Sequence, residues 1–427
     1  MFRLSNRINT TPPRKFFSSK LGISVIMGSF IGFTLIIVLA VLFSGSSHAI
    51  QIPGADDNHK YKVAVTHFPL TDTAHKDPYH PTEDRRVMAS LFMPVPKNSC
   101  SAECENSYMP PQTAKIANEQ FVVGGKREAG VFETMSYKVC CRSSDKIDAS
   151  NVPVVVLEPH VDTSRLLYST MARFISANGA AVVMIDHPGD ASIVEFTASR
   201  KRGLDTVYNS GTVPLSNMSP ITNWNSTVET ALTTRKSDIA FALSQISTAA
   251  FLQRQFSSFS FTSALNTNTY GIIGHGLGGS VATSLGTTST ATVFSINLSG
   301  TPPLLESDVQ NSPLFFFGRE DFRRENDIHW PTTWSHLTGR ATEFDLDDSA
   351  IFDVSDLPKI IELARNEGGK KDAAGKGLSG YAPVQGAQAI TCFVENVVKQ
   401  QFRLEGQGQD LSGCIRIFGG VVPYPGH

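Results

Sequence analysis

Two kinds of hydrophobic pattern alternate along most of the chain. Residues 152–157 form a nearly continuous β-branched run, as expected of a strand buried on both faces. Thr163 or Ser164 can cap the helix that follows, whose Leu167, Met171, Phe174 and Ile175 fall on one face before Asn178 and Gly179 end it. Residues 180–185 read as a second buried strand, and strand, helix, strand implies a parallel pair joined by a right-handed crossover. Farther on, Ser237 starts a helix with Ile239, Leu243 and Ile246 facing inward. A short strand over 269–273 follows, and the small and apolar residues of 277–285 suit a helix packed closely on a sheet. Residues 292–298 and 313–317 are further strands, and 385–400 makes a final amphipathic helix. The pattern predicts an α/β domain over 50–427, with a mostly parallel central sheet and helices on both faces.

Three stretches depart from this rhythm. Residues 50–150 mix turn residues with short apolar runs such as 87–94 and read as edge strands and loops. The polar segment 197–234 has few large apolar residues and reads as a surface excursion or cap, and the glycines and lysines of 366–380 mark a flexible loop. Residues 21–43 are uncharged and long enough to cross a bilayer as a helix. The arm 1–20 before them carries Arg3, Arg7, Arg14, Lys15 and Lys20 and no acid, which favours retention on the cytoplasmic side. A transmembrane signal anchor is therefore expected, with 50–427 in the lumen or outside the cell. The small residues around Ala49 leave a cleaved, secreted form as the alternative.

Composition agrees with that compartment and removes one class of partner. All six cysteines, Cys100, Cys104, Cys140, Cys141, Cys392 and Cys414, follow the apolar span, where an oxidising lumen permits disulfides. Cys100 and Cys104 can bridge to the Cys140/Cys141 pair and Cys392 to Cys414, although fifteen full connectivities are open. No histidine near Cys140 has zinc-finger spacing, so neither a metal nor another cofactor is expected. Asn217 and Asn225 head sequons in polar sequence suited to lumenal glycosylation. A net charge of −2 and a pI near 6.6 supply no basic face for nucleic acid.

The most informative motif is Gly274-His275-Gly276-Leu277-Gly278-Gly279, set between the 269–273 strand and the 277–285 helix. It has the form of a nucleophile elbow, G-x-S-x-G, with glycine in the serine position. The elbow holds its central residue at φ > 0, where glycine carries no steric cost. A phosphate-cradling turn is the simpler reading, but the dinucleotide interval is absent and no P-loop lysine follows.

Five patches in order resemble the platelet-activating-factor acetylhydrolase type of α/β-hydrolase, across about residues 150–400. They are Thr163-Ser164-Arg165-Leu166-Leu167-Tyr168-Ser169, then Ile185-Asp186-His187-Pro188 with Ile193-Val194-Glu195-Phe196, then the glycine elbow, then Asn297-Leu298-Ser299-Gly300, and last the stretch from Phe352 to Pro358. The resemblance implies an α/β-hydrolase fold and cofactor-free hydrolysis of a short acyl ester on a phospholipid. That reaction needs a serine, a histidine base, an acid and oxyanion donors. Carried over one residue at a time, the resemblance puts the nucleophile at Gly276, the acid at Ser299 and the base at Ile351. The oxyanion positions become Leu277 and His160, the latter where the family has glycine.

All three triad positions are thus substituted while the flanking sequence stays recognisable. The expectation is a membrane-anchored pseudoenzyme whose pocket binds a lipid or whose surface binds a protein. An active ester hydrolase with a relocated nucleophile, of which Ser280 and Ser299 are the candidates, is the first alternative. A ligand-free scaffold is the second. His275 and His160 are possible bases, His187 reads as part of a scaffold turn, and Asp347, Asp348 and Asp353 as a solvated acidic loop with a metal pair as the sharper option.

Overall fold

The computed structural model describes residues 49–427 except 55–58, 124–129, 197–204, 210–219, 367–372, 380–382, 405–410, 412, 415–420 and 424–427. The arm 1–20, the span 21–43, Asn217 and much of the 197–234 excursion therefore lie outside the described residues. Among the described residues no helix is long and apolar enough to cross a membrane.

In chain order the N-terminal half carries β1 (Ile50–Gln51), β2 (Tyr61–Lys76), β3 (Asp84–Pro96), β4 (Cys100–Ser107), α1 (Pro111–Phe121), β5 (Met135–Ser143), β6 (Lys146–Ile147), β7 (Val154–Glu158), α2 (Ser169–Ala177), β8 (Ala181–Asp186), β9 (Ile193–Glu195) and β10 (Thr206–Tyr208). There follow α3 (Ser226–Ile246), α4 (Ala249–Gln255), β11 (Ser260–Phe261), β12 (Tyr270–His275), α5 (Leu277–Thr288), β13 (Thr292–Leu298), β14 (Leu314–Arg319), α6 (Trp330–Ser335), β15 (Ala341–Leu346), α7 (Leu357–Asn366), α8 (Pro383–Phe402) and β16 (Val421–Pro423).

Nine strands form the central sheet in the order β16-β15-β14-β13-β12-β7-β8-β3-β2. The six from β15 to β8 are mutually parallel, β16 and β3 run against them, and the edge strand β2, antiparallel to β3, runs with them again. Val154, Val155, Val156 and Leu157 of β7 are all buried because helices cover both faces. On one face α2, α7 and α8 bury Met171, Ile175, Ile360, Phe393 and Val397 against Ile273, Ile296 and Phe317. On the other, α3, α4 and α5 bury Ile239, Phe251 and Val281 against Val156, Ile185 and Ile272.

Sequence and structure part in three places. The long helix α3 begins at Ser226, not Ser237, because the exposed Asn225 caps it by accepting from the Thr227 and Val228 N–H groups. Part of the 197–234 excursion is thus helix, and residues 206–208 pair with β9. Residues 50–150 contribute more than edges and loops: β2 and β3 form a long antiparallel hairpin, and β3 lies inside the sheet between β2 and β8. Helix α1 went unpredicted, since a Pro-Pro start and mixed polarity hide its apolar face.

Disulfides Cys100–Cys140 and Cys104–Cys141 tie β4 to β5, and Cys392–Cys414 ties α8 to the chain after it. They fall within the option of joining Cys100 and Cys104 to the Cys140/Cys141 pair and Cys392 to Cys414, and the fold selects which partner each takes.

Candidate functional site: a glycine elbow closed by histidine

Three strands deliver the site at the C-terminal edge of the sheet. Strand β12 ends at His275, and Gly276 turns the chain into α5 at φ 56° and ψ −118°. These angles are sparsely populated by any residue with a side chain, so glycine relaxes a turn whose shape the fold retains. Small residues let α5 descend almost onto the sheet. A Cβ on Gly278 would stand 2.6 Å from the Glu158 carbonyl oxygen, and one on Gly274 would stand 1.9 Å from that of Gly278.

Ser299 follows β13, also at positive φ (55°). The two strand ends touch, because Gly276 N–H donates to the Leu298 carbonyl at 2.9 Å. Ile351 lies in the loop after β15, with its backbone beside the His275 ring. Gly276 and Ser299 thus lie at touching strand ends, and the Ile351 backbone lies beside the ring of His275, the residue before Gly276. None of the three supplies a nucleophile and base together: Ser299 Oγ donates to the Phe317 carbonyl at 3.2 Å, and Ile351 is aliphatic.

His160 occupies the space a nucleophile would need. A Cβ built on Gly276 would lie 2.2 Å from His160 Cδ2 and 2.8 Å from Nε2. The ring is fully buried, stands 4.8 Å from that of His275 and 5.4 Å from that of Phe352, and meets the Val161 carbonyl through Nδ1 at 2.6 Å. Tyr168 Oη shares a hydrogen bond with His275 Nδ1 at 2.6 Å and accepts the His160 backbone N–H at 3.2 Å. Burial drives the His160 pKa down to about 3 and that of His275 well below its ordinary value, with the neighbouring Arg319 charge acting in the same direction. Both imidazoles are neutral at physiological pH. Leu277, the first residue of α5, is buried against Val161 and Val228.

Arg319 is the site residue that sequence reasoning missed. It ends β14 almost fully buried, contacts Asp321 at 2.7 Å, and leaves Nη1 without a hydrogen-bond partner. Nothing in the local pattern distinguishes it from a strand-terminal surface arginine.

The candidates for a displaced nucleophile are each committed elsewhere. Ser280 is buried one turn into α5, and its Oγ donates to the Thr301 carbonyl at 2.5 Å. A serine–histidine hydrogen bond does exist, Ser90 Oγ to His67 Nδ1 at 2.8 Å, but it links β3 to β2. Ser90 is fully buried and also accepts from Arg165 Nε at 2.7 Å, while burial and the Arg165 charge hold the His67 pKa down near 3.

Behind the elbow lies a buried ionic network. Glu158, ending β7, meets His187 Nε2 at 2.9 Å and Arg235 Nη1 at 3.4 Å. His187 Nδ1 meets Asp238 at 2.8 Å, Asp238 receives a fork from Arg85, and Arg235 forks onto Asp190 with two bonds of 2.8 Å. Burial opposes charge on His187, but Glu158 and Asp238 outweigh it and push the pKa up to about 9. His187 is thus an ionic junction as well as a turn residue.

The acidic loop differs from expectation. Asp347 and Asp348 are exposed, but Asp353 is buried and accepts the Ala350 and Ser379 N–H groups, which close the loop that carries Ile351. No group of three or more potential metal ligands occurs among the described residues.

Residues 113–347 match the model of the family described as platelet-activating factor acetylhydrolase, isoform II. The chain belongs to that family. A protein of Arthroderma benhamiae named "Probable 1-alkyl-2-acetylglycerophosphocholine esterase" is 27% identical over 381 residues, covering 82% of this chain and 88% of its own. A ferulic acid esterase from Streptomyces cinnamoneus shares the fold with a TM-score of 0.63 at 17% identity, over 88% of this chain and 100% of its own. The acetylhydrolase-type α/β-hydrolase fold expected from the five patches is therefore secure.

Proposed function

We propose that this chain is a non-hydrolysing member of the platelet-activating factor acetylhydrolase family, acting by binding and not by turnover. In this reading residues 21–43 anchor it in a membrane of the secretory pathway, with residues 50–427 on the lumenal or extracellular side and Asn225 glycosylated. The observation that carries the proposal is Gly276 at the apex of a retained elbow, with the His160 ring in the volume a serine side chain would fill. Acyl transfer through an acyl-enzyme requires an oxygen or sulfur nucleophile there, with a base within about 3 Å. Gly276 offers neither atom, and Ile351 offers no base. Loss of the nucleophile removes the covalent route altogether, whereas loss of an orienting acid would only slow it.

The second reading, an ester hydrolase with a relocated serine, draws on the Arthroderma relative's name. Ser280, Ser299 and Ser90 are its candidates, and each hydroxyl is buried and engaged as described. Hydrolysis of short-chain aryl esters and short-acyl phospholipids by the purified full-length protein separates the readings. The proposal expects no rate above the uncatalysed background. Turnover abolished by Ser280→Ala, Ser299→Ala or Ser90→Ala would establish the relocated serine, and turnover surviving all three would defeat both readings. Protease protection in intact microsomes, with N-terminal sequencing, tests the topology; a mature chain beginning at Ile50 would overturn the anchor.

A further inference from the structure

A cavity of about 430 Å³ opens between α2, α7 and α8, with Ile52 and Pro53 closing one side. Its volume falls within the roughly 300–1,000 Å³ of small-molecule sites. Phe174, Val384, Ala387 and the Cys392 side chain give it apolar walls. Its charged residues are Asp356, Glu395 and Lys359.

The hydrogen bonds within this set decide what the cavity presents. Asp356 is 95% buried by its 5% exposure, and the same oxygen, Oδ2, accepts both Tyr108 Oη at 3.0 Å and Thr170 N–H at 2.8 Å. Oδ1 takes neither bond. Glu395 likewise receives Asn178 at 2.8 Å and contacts His59 at 3.4 Å through Oε1, so Oε2 takes neither. Lys359 is drawn off to Glu362 at 2.6 Å. Arg173, the other cation near Asp356, has its guanidinium 4.6 Å from the Tyr137 ring centroid. The cavity is thus lined by two carboxylates, each with one oxygen outside these bonds, among mixed apolar and neutral polar walls that include Gln388 and Thr391, with its own lysine paired elsewhere.

We propose that this cavity binds a small primary amine with a hydrocarbon body, its ammonium group directed at Asp356 Oδ1 and Glu395 Oε2 and its body against Phe174, Val384 and Ala387. A cation adds favourable charge pairing with these partly buried carboxylates that a neutral ligand lacks and an anionic one opposes. The apolar walls contribute the remaining affinity by area removed from water. Because none of these residues belongs to the elbow, the site stands whether or not Gly276 is catalytically silent. Burial pushes the Asp356 pKa up to about 7, against the opposing hydrogen bonds from Thr170 and Tyr108 and the charge of Arg173. Amine binding should therefore weaken as pH falls below 7, because the ligand's charge must compete with the proton.

The test is calorimetric titration of the full-length protein in lipid nanodiscs with 2-phenylethylamine, 2-phenylethanol and 3-phenylpropionate, with empty nanodiscs as the blank. The amine should bind saturably at one site, at least about tenfold more tightly than the alcohol, with no binding by the acid. Glu395→Gln should weaken the amine about tenfold, and Ala387→Trp, which fills the cavity, should abolish binding while melting near the parent temperature. Asp356→Asn should also abolish binding, and because it removes a bond that holds α2, the other two variants are read where it fails to fold. Equal affinity for amine and alcohol, absence of a saturable heat, or undiminished binding in Ala387→Trp would overturn the proposal.

Discussion

Two polar assemblies meet at the C-terminal edge of the sheet, at the ends of the neighbouring strands β7 and β12, and their fates differ. At the elbow, the atoms that would react are absent, and neutral histidines pack in their place. Behind it, Glu158, His187, Asp238, Arg85, Arg235 and Asp190 keep a buried network of charges in close pairs. Glycine at the elbow costs the fold little, because replacing a side chain and its Cβ by hydrogen at a φ of 56° relieves strain. No member of the ionic network can be lost that way, because each deletion strands a buried charge.

The largest effect should follow from breaking the network. Arg235→Met leaves Glu158 and Asp190 without their shared cation, and is expected to cost about 3–5 kcal/mol in denaturant unfolding. A loss below about 1 kcal/mol would show that water reaches these groups and that the contrast with the elbow is overdrawn.

Acidity probes both regions at once. His187 has a folded pKa near 9 against an unfolded value of about 6.5, so its stabilisation is complete below pH 6.5 and lost as pH rises through 9. Over that window the loss should reach on the order of 3 kcal/mol, and His187→Gln should flatten it. His160 and His275 act with the opposite sign. Their folded values are depressed, so below pH 6.5 the unfolded chain binds protons that the folded chain refuses, and stability falls as pH drops. Stability unchanged between pH 5 and 6.5 would contradict their neutral burial.

A smaller effect sharpens the elbow side. Gly276→Ser should cost about 1–3 kcal/mol through backbone strain alone. The contact with His160 adds to this, and His160→Gly in the same chain should recover part of it. A double-mutant cycle with a coupling below about 0.5 kcal/mol would show that the ring moves aside freely.

Much of this architecture was legible before any coordinates. The β-branched run ending at Leu157 and the small residues after Gly276 follow from local chemistry and lie where they were expected, whereas Ser164 caps a 3-10 turn, Arg165–Tyr168, and α2 itself begins at Ser169 without a side-chain cap. The start of α3 at Ser226, capped by Asn225, was not expected, because its first turns carry serine, threonine and glutamate that read as loop without the packing of Val228 and Ala231. Nor could local pattern pair His187 with Glu158, 29 residues before it, or Arg235 with Asp190, 45 residues before it. The substitution at 276 was plain in the sequence; its closure by His160 needed three dimensions, since 116 residues separate the two positions.

The most direct measurement is intact-mass analysis of the purified full-length protein after exposure to a serine-reactive fluorophosphonate, alongside the Gly276→Ser/Ser299→Asp/Ile351→His variant. The account predicts no adduct on the wild type, whose Gly276 has no oxygen to phosphonylate. The variant with His160→Gly added provides the minimal set of groups for labelling at residue 276. A stoichiometric wild-type adduct mapped to any serine would contradict the non-hydrolysing reading and identify the nucleophile that replaced it.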